Sequence, residues 1–103
     1  MKNVYENVPS NQIEKQKRYF YGAILDCLFK YEEDYPFLDN RLQNLINQIQ
    51  GSNDLFGNAP QVLTICALLQ TAREDHSQLR SCVLNAINLV DTLKGGGSDV
   101  RAL

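Results

Sequence analysis

Four stretches of this chain repeat apolar residues every three or four positions, and only short breaks separate them. That period belongs to helices with one buried face, and it leaves no alternating run long enough for a useful strand. Ile13, Phe20, Ile24, Cys27, Leu28 and Tyr31 mark the first stretch. Leu38, Leu42, Leu45, Ile46 and Ile49 mark the second, and Leu79, Val83, Ala86, Ile87, Val90 and Leu93 the fourth. The third, Val62 to Leu69, points apolar side chains in nearly every direction, and a helix of that kind is buried on most sides. The expectation is an all-α fold, a small bundle of about four helices with helix 3 central and largely buried.

The breaks set the boundaries. Residues 1–9 read as an N-terminal arm ended by Pro9, with Ser10 or Asn11 capping a first helix that runs to about Asp34. Pro36 biases Tyr35 away from helix and suits the first turn of helix 2, which reaches about Gln50 with Gly51 as its cap. Leu55 and Phe56 sit in the polar loop that follows. They are expected to plug one end of the core, the alternative being an exposed anchor for a partner. Pro60 opens helix 3. Asp75 with Gln78 has the spacing of a capping box ahead of helix 4, with Ser77 a second cap candidate. Three glycines from Gly95 end that helix. Residues 10–94 are therefore expected to form a single helical domain, and residues 95–103 a flexible tail.

Charge excludes more than it suggests. The formal net charge is −2, and residues 1–34 and 35–103 carry five basic and six acidic residues each. Neither half offers the cationic footprint that nucleic acid or anionic lipid requires. The N-terminal segment lacks the apolar core of a secretory signal, and no apolar run is long enough to span a bilayer. Cys27, Cys66 and Cys82 are odd in number and isolated within or beside apolar stripes. They read as buried free thiols, which places the protein in a reducing compartment, the cytoplasm.

Catalytic chemistry finds little support. His76 is the single histidine, in a polar turn with no nucleophile or oxyanion-stabilising motif near it in sequence. One histidine and three separated cysteines supply neither a zinc set nor a di-iron set, and no glycine-rich phosphate loop is present, so no cofactor or metal is expected. Glu32-Glu33-Asp34 reads as a solvated helix end.

Two surface features point instead to protein contact. The outer faces of helices 2 and 4 are built from amides and hydroxyls where lysine and glutamate would be usual, with Asn40, Asn44 and Asn47 on one and Asn85 and Asn88 on the other. Helix 1 carries a second apolar stripe, Tyr21, Leu25 and Phe29, beside its core stripe. It should therefore touch two neighbours in the bundle, or one neighbour and another chain. Tyr19 lies off both stripes and is the leading candidate for an exposed contact. These nine residues are the expected interaction site of a non-enzymatic adaptor, inhibitor or regulatory subunit that binds a partner protein or pairs as a homodimer. The alternative is a transcriptional regulator whose helices 3 and 4 form a helix-turn-helix, with Asn85 and Asn88 reading adenine, although the phosphate-binding cations are missing.

Overall fold

In the computed structural model the backbone is described for residues 2–94 and side chains for residues 12–94. Four helices follow one another: α1 (Lys2–Glu32), α2 (Leu38–Gly51), α3 (Pro60–Glu74) and α4 (Leu79–Asp91), with a single 3-10 turn, His76–Gln78, leading into α4. The expected tail, residues 95–103, lies outside the described residues.

Each helix packs against two others, in the cycle α1–α2–α3–α4–α1. Cross-helix contacts fix the directions. Tyr19 meets Gln48 and Asp26 meets Arg41, so α1 and α2 run antiparallel. Cys66 reaches the Ile46 carbonyl and His76 reaches Asp39, so α2 and α3 do too. Lys17 meets the Asp91 carbonyl while Glu32 meets Arg80, which makes α4 antiparallel to α1. The result is an up-down-up-down bundle with short connections, the topology in which sequence neighbours bury each other's stripes. The two neighbours expected for α1 are both within its own bundle. The core runs through the axis, with Phe20, Ile24, Leu42, Ile49, Ile65, Leu69, Leu79 and Val83 fully enclosed. Helix α3 lies between α2 and α4 and buries Val62, Ile65, Cys66, Leu69 and Ala72. Leu63, on its outer side, stays exposed.

Local chemistry explains the ends. Asp34 takes φ 58° after α1, a left-handed conformation that Asp tolerates better than most residues. The Tyr35 amide then donates to the Lys30 carbonyl and the Asp34 amide to that of Tyr31, which is the Schellman pattern. Lys30 covers the Tyr35 ring at 5.5 Å, filling the place of the usual apolar contact across that motif. Pro60 occupies the first turn of α3, where its missing amide hydrogen costs nothing. Asp75 accepts from the Ser77 amide and hydroxyl, at 3.1 and 2.6 Å. Gln78 donates to the same carboxylate, where a strict capping box would have its side-chain oxygen accept from the Asp75 amide.

Two boundaries differ from expectation. Helix α1 begins at Lys2, and its backbone passes through Pro9. Proline has a helix-compatible φ, so the helix can continue upstream of it, at the cost of one hydrogen bond and of crowding against the carbonyl of the preceding turn. Gly51 continues α2 and Ser52 takes the cap, its hydroxyl donating to the Gln48 carbonyl at 2.9 Å. The left-handed residues come later, at Gly57 (φ 66°) and Asn58 (φ 57°), where the Asn58 amide returns to the Asn53 carbonyl at 2.9 Å. That turn aims Phe56 into the bundle: it is 2 % exposed and its ring lies 6.4 Å from that of Phe20. Leu55 packs partly against the same core. The loop residues act as the plug.

Candidate functional site

The predicted contact residues separate onto three surfaces. Tyr19, Asn40 and Asn44 meet in a groove of about 400 Å³ between α1 and α2, with Gln48 and Arg41 beside them and Tyr35 and Phe37 closing one end. Antiparallel packing brings Tyr19 across to α2, where its hydroxyl donates to Gln48 Oε1 at 2.9 Å. The groove's cation is already neutralised, because Arg41 Nε and Nη2 both donate to Asp26 Oδ2, at 2.9 and 2.8 Å. Cys27 lies at the floor, where burial pushes its thiol up to about 11, so it is protonated and a poor nucleophile. Burial raises the Cys66 and Cys82 thiols too, and all three cysteines are free. Asn47 stands on the outer side of α2 and accepts from Gln43 at 3.1 Å.

The second surface is the outer edge shared by α1 and α4. Helical spacing carries Tyr21, Leu25 and Phe29 along α1 from the flank that faces α4 toward the outside, and puts Arg80, Leu84 and Asp91 within about 40° of one another on α4. Lys17–Asp91 and Glu32–Arg80 join the helices at the two ends of this edge, the latter pair at 2.5 Å. Between those clasps Tyr21 is 41 % exposed, Phe29 53 % and Leu84 51 %, while Leu25 is half-buried against the core. Gly22 lies on the same side, with open space where a Cβ would project. Leu84 was not among the sequence candidates; its signal was an apolar residue off the core stripe of α4, four positions after Arg80.

Asn85 and Asn88 form the third surface, exposed on the outside of α4 and away from the α1/α2 groove. The chain has no Asp, Glu, Lys or Arg from Leu55 to Ala72 or from Ser81 to Val90, so α3 and α4 turn uncharged sides outward. Arg80, the one cation within α4, is held by Glu32.

His76 is more engaged than a solvated turn residue. Its Nε2 lies 2.8 Å from Asp39 Oδ1 and its ring stands edge-on to Tyr31, which ties the α3–α4 connection to α1 and α2. Neither a hydroxyl nor a thiol joins this couple among its described contacts. Among the described residues no group of three or more His, Cys, Asp or Glu is placed to hold a metal ion, and no helix is long and apolar enough to cross a membrane.

No family model, curated protein sequence or solved structure matches this chain.

Proposed function

We propose that this protein is a non-enzymatic protein-interaction module, an adaptor, inhibitor or regulatory subunit, that acts by covering a partner's surface with its α1/α4 edge. The observation that carries this reading is the exposure of Tyr21, Phe29 and Leu84, three large apolar side chains that helical spacing sets along one edge between the Lys17–Asp91 and Glu32–Arg80 clasps. Aromatic and leucine side chains grouped at a surface exchange contact with water for contact with protein when a partner covers them. The exposed amides Asn85 and Asn88, further round α4, add no charge that a partner would have to desolvate. The α1/α2 groove, lined by Tyr19, Asn40 and Asn44, with Asn47 on the outer side of α2 nearby, is a secondary contact region. Three free buried thiols fit a reducing compartment, and the cytoplasm is the proposed location.

The test is the double variant Tyr21→Glu/Phe29→Glu. Both side chains are exposed, so thermal unfolding should change little. Self-association and retention of native partners in a pull-down should both be lost. If both persist at native stability, the α1/α4 edge is not the working surface.

A further inference from the structure

The α1/α4 edge reads nearly the same in both directions about Leu25. Tyr21 lies four residues before it and Phe29 four after; Arg18 lies seven before, and Glu32 and Glu33 seven and eight after. Arg18 is exposed and makes no ion pair with a described residue. Glu33 is 69 % exposed and is approached by Lys30 only at 3.9 Å. Glu14 and Asp91 stand beside Lys17 and Arg18 at one end of the strip, and Lys30 and Arg80 beside Glu33 and Glu32 at the other; Arg18 and Glu33 are the least engaged charges of each end, and they flank one apolar centre.

Resting on the interaction reading above, we infer that the occupant of this edge is a second copy of the same chain, laid antiparallel along α1 with the two-fold axis at Leu25. An isologous contact requires a self-complementary patch, in which residue i meets j and j meets i. The strip meets that requirement position by position. Leu25 faces Leu25 of the other copy. Tyr21 faces Phe29 twice over, which gives two aromatic pairs at the centre of the contact. Arg18 faces Glu33 twice over, which adds two ion pairs at the rim. Gly22, open to solvent, lets the two α1 helices approach without a side chain between them. A parallel arrangement would set Arg18 against Arg18 and Glu33 against Glu33. The charge order along the strip selects the antiparallel one. Leu84 of each copy then closes over the other copy's α1 from the side, so the buried patch is made from two helices per copy.

Charge exchange tests this. Dimerisation of the full chain is measured by size-exclusion chromatography with light scattering and by analytical ultracentrifugation. Arg18→Glu and Glu33→Lys each place like charges at both rims of a homodimer and should weaken it by on the order of tenfold to a hundredfold. An equimolar mixture of the two variants restores opposite charges at both rims and should recover wild-type association as a heterodimer. A wild-type dimer indifferent to both changes would overturn the arrangement, moving self-association to another face while the interaction reading stands. A wild type that stays monomeric up to about 1 mM would overturn the second copy as occupant. The Tyr21→Glu/Phe29→Glu pull-down then decides the broader reading by itself.

Discussion

Replacing Phe56 by alanine should destabilise the bundle as much as emptying a position in the middle of a helix, although Phe56 lies in a connecting turn. A phenylalanine buries about 150–250 Å². At about 25 cal/mol per Å² that corresponds to about 4–6 kcal/mol of transfer free energy, an upper bound because the denatured chain is already partly compact. Alanine retains part of the contact, and Phe→Ala changes at buried sites cost about 3–5 kcal/mol. Phe56 is 2 % exposed and stacks in a tilted geometry on Phe20, itself fully buried, so relaxation of the turn has little room to refill the space. The expected loss is about 3–4 kcal/mol, a large share of the about 5–15 kcal/mol available to a domain. The midpoint of thermal unfolding should fall by about 12 °C or more. Urea unfolding followed by the helical circular dichroism signal measures the loss, and an unchanged slope against denaturant shows that both end states are preserved. Leu55→Ala, at a half-buried neighbour, should cost about 1 kcal/mol. A loss below about 1.5 kcal/mol for Phe56→Ala would refute the reasoning, because it would mean that the bundle end closes without the ring.

Further outcomes are expected on the same grounds. The Cys27 thiol ionises near 9.0 when unfolded and at about 11 when folded, so its contribution is complete below pH 9 and is lost as pH rises toward 11. Cys27→Ala should flatten the alkaline decline in stability over that window, measured by urea midpoint against pH. Asp75 has the opposite sign: hydrogen bonds from Ser77 and Gln78 hold its carboxyl below 3.8, so its contribution is present at neutral pH and disappears as acid protonates it. Asp75→Asn should reduce the acid-side dependence. Arg41→Met should cost less than about 1 kcal/mol by the same urea assay, since the Asp26 partner is partly exposed. On immobilised duplex DNA at about 20 mM salt the protein should pass unretained, because α3 and α4 carry only two cations, Arg73 and the Arg80 that Glu32 holds, too few for a row of phosphate contacts. Salt-sensitive retention there would favour the regulator alternative.

Much of this architecture was legible in residue order. Spacing of three and four apolar residues is a local property of the helix, so Leu38, Leu42, Leu45, Ile46 and Ile49 declared both the element and its buried face before any neighbour was known. Pro60 and Asp75 marked helix starts for equally local reasons. The beginning of α1 was not legible, because an interior proline costs a helix about 3 kcal/mol and reads locally as a stop, yet α1 runs through Pro9. Gly51 was misplaced because a glycine signals a possible left-handed residue without requiring one, and the chain used Gly57 and Asn58 instead.

The candidate site divides the same way. That Tyr19, Tyr21 and Phe29 would stand outside the core stripe of α1 followed from their phase on the helix alone. Which helices would flank them did not, since a periodic stripe records that a residue is buried but not against what. Packing of α2 on one side and α4 on the other decided it. Tyr19 was joined to Gln48, Asn40 and Asn44 at one groove, and Tyr21 and Phe29 to Leu84 at another edge, 55 or more positions further along the chain. The sequence by itself determined four amphipathic helices, their inward faces and a surface poor in charge, because those depend on backbone periodicity and side-chain type. Only the tertiary structure decided the antiparallel order, the closed core and the juxtaposition of α1 with α4, because contacts between residues far apart depend on how whole helix faces fit together.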